Sequence, residues 1–458
     1  MCHQSSRLRT SSTIATSSCP RQPRALQKRA PNGEPVCCRD SGFAATSRQV
    51  GMGNYNMRSL SEDRQVTEVV FYVALLGVLY PHLLFPLVLL LRGFLWRRPV
   101  LKADIEPPVS VIIAARNEAV SIAAKIENTL ALDYPPEKLN VVVASDGSED
   151  GTDERVLRYA DRGVRLLPLP RCGKAEALNS AVEVSSGEIL VFTDANSVLS
   201  PDAIRALVRP FADPKVGGVA GNQCYLEEQG GRKGVDGGEI LYWSFDRLLK
   251  QAETLAGNVI SATGAIYAIR RSRFRTIPAG VTDDFFVSAS VVAQGYRLVF
   301  EAAAVAFEPT AGSHRGEFAR KVRIMTRGLR GILILRELLN PFRHGFYALQ
   351  LLSHKVLRRL TVFPLLVLLV VSPVLWEAGA IYRLVTVGQA GLLGCAAARI
   401  LLGGSRLSRA RVFSVPFFFC AVHAAELVAF FNLLRGHRIE RWEPTARGST
   451  GRPTCHEE

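Results

Sequence analysis

Ile189-Leu190-Val191-Phe192-Thr193-Asp194-Ala195-Asn196 is the stretch whose reading decides the fold. Its first four residues are apolar and suit a buried strand. One carboxylate, Asp194, stands at the strand's end, and Asn196 lies two residues further on. Moving outward, the pattern recurs. Val109–Ala114 is a continuous apolar run, entered through Pro107-Pro108 and ended by Ala115-Arg116-Asn117-Glu118. Leu139–Ala144 ends at Ser145-Asp146-Gly147-Ser148, and Val164–Leu167 is a shorter run. Helical patterns over Ser121–Leu132, Glu149–Tyr159 and Lys174–Glu183 separate these runs. Short buried strands alternating with helices predict an α/β domain with a parallel sheet. Ligands of such sheets bind beyond the carboxyl ends of the strands. Asn117, Glu118, Asp146 and Asp194 are therefore expected at one edge.

The second half of this domain, taken as residues 105–340, is less regular. A Gly-rich loop covers Gly230–Gly238, and Glu239–Leu255 reads as a helix. Ser261–Arg270 reads as a strand entered through Thr263-Gly264. Thr282-Asp283-Asp284 has the form of a helix N-cap and first turn, where acids are favoured. Glu317–Arg330 is a basic helical stretch carrying Arg320, Lys321, Arg323, Arg327 and Arg330.

Apolar segments flank the domain. The composition is 48% hydrophobic with a net charge of +15, and both excesses are local. Residues 69–91 are almost wholly apolar and long enough to span a bilayer, with Pro81 and Pro86 tolerable there. Arg92, Arg97, Arg98 and Lys102 follow, which by the positive-inside tendency puts the next domain in the cytosol. Residues 342–357 fit an amphipathic helix lying in the membrane surface. Three apolar stretches follow within 361–434, near 361–382, 386–403 and 412–434, then a basic tail over 435–458. The loop Arg406–Arg411 reads as cytosolic, yet a third full crossing would place the basic tail outside, against the same tendency. Residues 1–64 are Ser/Arg/Thr/Gln-rich and read as a disordered extension, with Met52 and Met57 as alternative starts. The nine cysteines form no CxxC pair, so neither a disulfide framework nor a zinc site is expected. The basic charge crowds beside apolar segments, which points to membrane lipid rather than nucleic acid.

The acids suggest a chemistry. Asp146 suits hydrogen bonds to a base or ribose edge, and equally suits a turn cap. Asp194 suits Mg²⁺ or Mn²⁺ bridging a diphosphate, with Asn196 as a neutral second ligand. Asp284 suits a general base whose pKa its neighbour Asp283 raises by like-charge repulsion. Arg320 and Arg323 share a helix face and suit the diphosphate leaving group. Lys174, after Cys172-Gly173, is a further phosphate or ribose contact. A nucleotidyltransferase would rely on a Gly-rich phosphate loop after the first strand, and none follows it.

These motifs, in this order, resemble the membrane-bound glycosyltransferases of family 2, the group of the bacterial-type cellulose, chitin, hyaluronan and poly-N-acetylglucosamine synthases. The resemblance rests on Pro108–Glu118, Ser145–Ser148, Gly173-Lys174 with Ala177-Leu178-Asn179, Asp194-Ala195-Asn196, Thr263-Gly264, Thr282-Asp283-Asp284, the Arg-rich helix and Trp442–Arg447. It implies a GT-A fold in the cytosol with flanking transmembrane helices. It implies a nucleotide sugar bound by Asp146, a metal on Asp194 and a base at Asp284. It also implies a multi-pass protein of the inner (plasma) membrane that acts on a saccharide or lipid-linked acceptor, with export or polymerisation proteins as partners. Two departures stand out: Asn196 replaces an acid, and Ile324 follows Arg323 where the synthases carry Trp. Transfer of a single sugar is therefore the narrower expectation. The alternative reading is a non-catalytic membrane protein that keeps the fold.

Overall fold

The computed structural model describes residues 52–226, 237–309, 314–403, 405 and 407–437. Most of the expected N-terminal extension, most of the Gly-rich loop and nearly all of the basic tail lie outside the described residues.

Eight strands form one sheet: β1 (Val109–Ala115), β2 (Leu139–Asp146), β3 (Val164–Leu169), β4 (Ile189–Asp194), β5 (Val198–Leu199), β6 (Val216–Leu226), β7 (Tyr267–Arg270) and β8 (Arg297–Pro309). Their order is β3-β2-β1-β4-β7-β6-β8-β5. The first four pair in parallel, as the continuous apolar runs predict: β1, β2 and β4 are covered on both faces, and β3 at the sheet edge is half-buried. Two apolar clusters provide that cover: Ile112, Val142, Leu190 and Phe192 face one side, and Val111, Ile113, Val141 and Val191 the other. β7 runs antiparallel to β4 and to β6. This mixed half is where the expected Ser261–Arg270 strand shortens to Tyr267–Arg270. Residues 261–266 instead pass as irregular chain beside the end of β4.

Register sets the site. Ala114 on β1 is level with Asp194 on β4, and Ala115 is level with Ser145 on β2. Asp146 and Asp194 therefore leave the sheet at one edge, on either side of β1.

Three helices among the described residues are long and apolar enough to cross a membrane: Glu62–Leu95, Ala380–Leu401 and Arg411–Leu434. A bent pair, Phe346–Leu357 with Val362–Val374 at 56°, makes four if it counts as one span. The first span passes Pro81 through a π-helical turn at Tyr80–Leu84, which absorbs the missing N–H without ending the helix. Val73, Leu76, Leu87, Leu91, Val370, Leu384 and Val387 are exposed, an apolar surface that suits lipid and not water. The chain is a multi-pass membrane protein.

The amphipathic segment expected over 342–357 is divided. A single turn, Pro341–His344, ends at Gly345, whose φ of +54° breaks the helix before Phe346. The remainder packs on the sheet domain. Tyr347, Ala348 and Leu351 are buried there, and Tyr347 and Leu351 join Ile260 and Leu338 in the core.

Candidate active site

Asp146 is almost wholly buried at the end of β2. Its Oδ1 accepts the backbone N–H groups of Cys172 at 2.7 Å and Gly173 at 2.8 Å. This draws the loop after β3 across the sheet edge and delivers Lys174, the first residue of the helix Lys174–Val184. The Lys174 ammonium donates to Asp194 Oδ1 at 2.8 Å and lies 3.1 Å from Asp283 Oδ2. Burial pulls this lysine's pKa down, but the two carboxylates outweigh it and hold the group above the usual lysine range.

Thr282 stands at the N-cap of the helix Asp283–Ala293, as expected, although its side chain makes no cap hydrogen bond. Asp284 Oδ1 accepts the N–H of Phe285 at 2.6 Å. Burial, then the charge of Asp283, pushes Asp284 up to about 6, with Lys174 acting the other way. Tyr267, on β7 opposite Phe192, is buried and its hydroxyl finds no hydrogen-bond partner among the described residues. Burial, then Asp283, Asp284 and Asp194, raises its phenol well above the usual range. Four elements thus meet around one space, with Gly264 as its wall. A Cβ at Gly264 would lie 3.0 Å from Asp194 Oδ2, so the missing side chain keeps that face of the carboxylate clear.

The remaining candidates divide. Asn117 adopts a left-handed φ of +50°, and its side chain accepts from Glu149 N at 2.9 Å. Glu118 is buried; its N–H donates to Thr152 Oγ1, and its Oε2 accepts from Ser121 Oγ at 2.6 Å. Both lock the loops at the rim and are not drawn into the central cluster. Asn196 follows Asp194 in a half-buried turn. Arg320 is half-buried on the helix His314–Ile334, within electrostatic reach of Glu308, and Arg323 follows one turn later.

Four residues near the acids escaped the sequence reading. Lys125 is buried under the β4 turn, where its ammonium donates to Thr193 Oγ1 and Ser197 O at 2.8 Å each. Burial pulls it down to about 7. Arg116 is buried between the two acid-bearing strands, and its Nε and Nη1 lack hydrogen-bond partners among the described residues. Glu308 is buried at the end of β8, accepting from Gln223 Nε2 at 2.6 Å. Burial and then Asp194 push it up to about 7. Tyr267 is the fourth. Only Arg116 left a trace in the sequence, as a charge directly after an apolar strand. Cys172, Cys395 and Cys420 are free cysteines.

Among the described residues no group of three or more His, Cys, Asp or Glu side chains forms a ready metal cage. The surroundings of Asp194 nevertheless fit a cation. An ammonium already lies against one oxygen, and the other faces the clearing at Gly264. A divalent ion held by one or two carboxylates and a substrate diphosphate needs no all-protein cage.

Residues 107–331 match the family described as "Glycosyltransferase like family 2". With the sheet order and the acid-lined strand edge, this defines the class: the chain is a membrane-associated glycosyltransferase of the family-2, GT-A kind, related to bacterial poly-N-acetylglucosamine-type synthases. It is 26% identical over 271 residues to the poly-beta-1,6-N-acetyl-D-glucosamine synthase of Staphylococcus aureus, covering 57% of this chain and 64% of that one. The synthase of the same name from Staphylococcus epidermidis is 24% identical over 222 residues, with 47% and 53% covered. The chain thus spans less than two thirds of the length of these curated relatives. Among solved structures it is similar to the mannosyltransferase PcManGT of Pyrobaculum calidifontis, in complex with GDP-Man and Mn²⁺. That likeness has a TM-score of 0.59 and 25% identity, and it covers 81% of this chain and all of that one.

Proposed function

We propose that this chain is an inverting transferase that moves one sugar from a nucleoside-diphosphate sugar, a UDP-sugar in the first instance, to a saccharide or lipid-linked acceptor at the cytosolic membrane face. The product would enter exopolysaccharide or cell-envelope glycan. The observation that carries this reading is Lys174, whose ammonium touches both Asp194 and Asp283 and so joins a metal-side carboxylate to the start of the helix that holds Asp284.

In this mechanism Asp146 fixes the loop at Cys172 and Gly173 and faces the nucleotide. Arg116, buried without a full set of partners, suits an anionic ligand at the same edge. Asp194 and Asn196 would hold Mg²⁺ or Mn²⁺, the ion that accompanies GDP-Man in PcManGT. When bound, the ion supplies charge stabilisation to the departing diphosphate. Arg320 and Arg323 add to that stabilisation from their helix. Asp284 takes the proton of the acceptor hydroxyl as its oxygen bonds to the anomeric carbon and the bond to the diphosphate breaks. A pKa near 6 leaves Asp284 ionised at neutral pH and makes it a stronger base than an ordinary aspartate. Burial raises that value most, Asp283 adds to the rise, and Lys174 opposes it. The basic flank Arg92–Lys102 supports the cytosolic side, and Ile324 in place of Trp supports transfer of one sugar over long polymerisation.

The test is incubation of membranes carrying the full chain with a panel of labelled UDP- and GDP-sugars and Mn²⁺ or Mg²⁺. One donor should be hydrolysed or transferred. Asp284→Asn should lose about a thousandfold in rate while keeping nucleotide affinity. Transfer should fall as pH drops through about 6, where Asp284 takes up its proton. Turnover of no donor by the wild type, or full activity in the variant, would falsify the reading.

A further inference from the structure

The end of β4 carries one carboxylate where a metal held with a diphosphate is ordinarily met by two. Asn196 supplies no charge. The sheet brings another acid to this place from far along the chain. β5, directly after the turn, pairs antiparallel with β8, Leu199 with Ala306 and Val198 with Phe307. The ladder ends at that pair, and its register carried one residue further sets Ser197 against Glu308. Ser197 is tied back to the turn, its hydroxyl donating to the backbone oxygen of Asp194 at 2.9 Å. Glu308 is 8% exposed, and Gln223 on the neighbouring β6 fixes its Oε2. The charges near enough to act on it are Asp194, Arg320, Lys174 and the buried Lys125.

We propose that Glu308 provides the second carboxylate of the metal site, in place of the acid that position 196 lacks. The assignment rests on the transferase reading and adds to it a named ligand on β8. Two independent observations point to a cation in this space. Lys174 already seats a positive charge on Asp194, and Gly264 clears the other oxygen of that carboxylate. An acid arriving from β8 also accounts for Asn196: with Asp194 and Glu308 both present, a third carboxylate in the turn would add repulsion and no needed ligand. Mg²⁺ and Mn²⁺ bound through one or two carboxylates plus phosphate oxygens fit such a site.

The competing role for Glu308 is neutralisation of Arg320 alone, and Mn²⁺ binding separates the two. The full chain in detergent or nanodiscs is titrated with Mn²⁺ in the presence of UDP, and in parallel GDP, and free Mn²⁺ is read by electron paramagnetic resonance. Glu308→Gln should weaken Mn²⁺ binding at least about tenfold, and adding Asn196→Asp to that variant should restore most of it. Unchanged binding in Glu308→Gln, or no recovery in the double variant, overturns the assignment. Should Glu308→Gln not fold, Asn196→Asp alone decides. It should gain less than about threefold in Mn²⁺ affinity if a second acid is already present, and a gain of about tenfold overturns the assignment. The donor assay on the same preparations keeps the two readings apart. Active wild type with Mn²⁺ binding indifferent to Glu308 sinks only this assignment. A wild type inactive with every donor sinks the transferase reading, while the titration still answers for Glu308.

Discussion

Asp146 and Asp284 are the same side chain held in two ways. Asp146 ends a parallel strand and its Oδ1 accepts two backbone N–H groups at 2.7 and 2.8 Å, contacts that hold the carboxylate in one place. Asp284 opens a helix, receives the N–H of Phe285, and is otherwise set among apolar packing and a like charge that push it up to about 6. The first arrangement suits a fixed recognition group, the second a group that must take up a proton. The difference comes from where each strand or helix ends, and Lys174 is the residue that joins the two environments.

Removing that joint should have the largest effect. Lys174→Met should lower kcat/KM about a hundredfold, since it unpairs two part-buried carboxylates at once. The sign of its pH effect is fixed: Lys174 holds the pKa of Asp284 down, so its loss moves the acid limb of the rate profile above about 6. A limb that stays in place would mean Asp284 is not the titrating base. Asp146→Ala comes next. It frees the N–H groups of Cys172 and Gly173, and KM for the donor should rise about thirtyfold with a smaller change in kcat. A loss confined to kcat would erase the contrast between the two aspartates. Gly264→Ala is the mildest. Its methyl would lie 3.0 Å from Asp194 Oδ2, forcing a shift of a few tenths of an ångström, and kcat/KM should fall about fivefold.

The inner strands of the parallel half, β1, β2 and β4, were legible because they are buried on both faces and so are written as apolar runs. Asp146 and Asp194 were legible for the same reason, as charges at the ends of such runs. Asp283 and Asp284 were legible from the local chemistry of a helix start. Lys125 was not, because a lysine within an amphipathic helical pattern looks solvated until the strand it lies beneath is known. Glu308 became visible only through the β5–β8 register, and the reach of Lys174 to Asp283 only through packing between the two halves of the domain. The division of the 342–357 segment turned on Gly345, a single backbone conformation that hydrophobic periodicity does not encode.

Tyr347 Oη donates to Ile260 O at 2.8 Å, Gln350 Nε2 to Asn258 O at 2.9 Å, and His354 Nδ1 lies 3.1 Å from Glu253 Oε1. All three reach from one helix to the stretch of chain that leads into Gly264. The consequence concerns where the protein can be cut. A soluble fragment ending near residue 340, the obvious choice from hydropathy, would strip these three tethers and bare Ile260 and Leu338 to solvent. The shortest fragment with an intact wall beside Asp194 must continue past Leu357, and that helix is then best regarded as the last piece of the enzyme and not the first piece of its anchor.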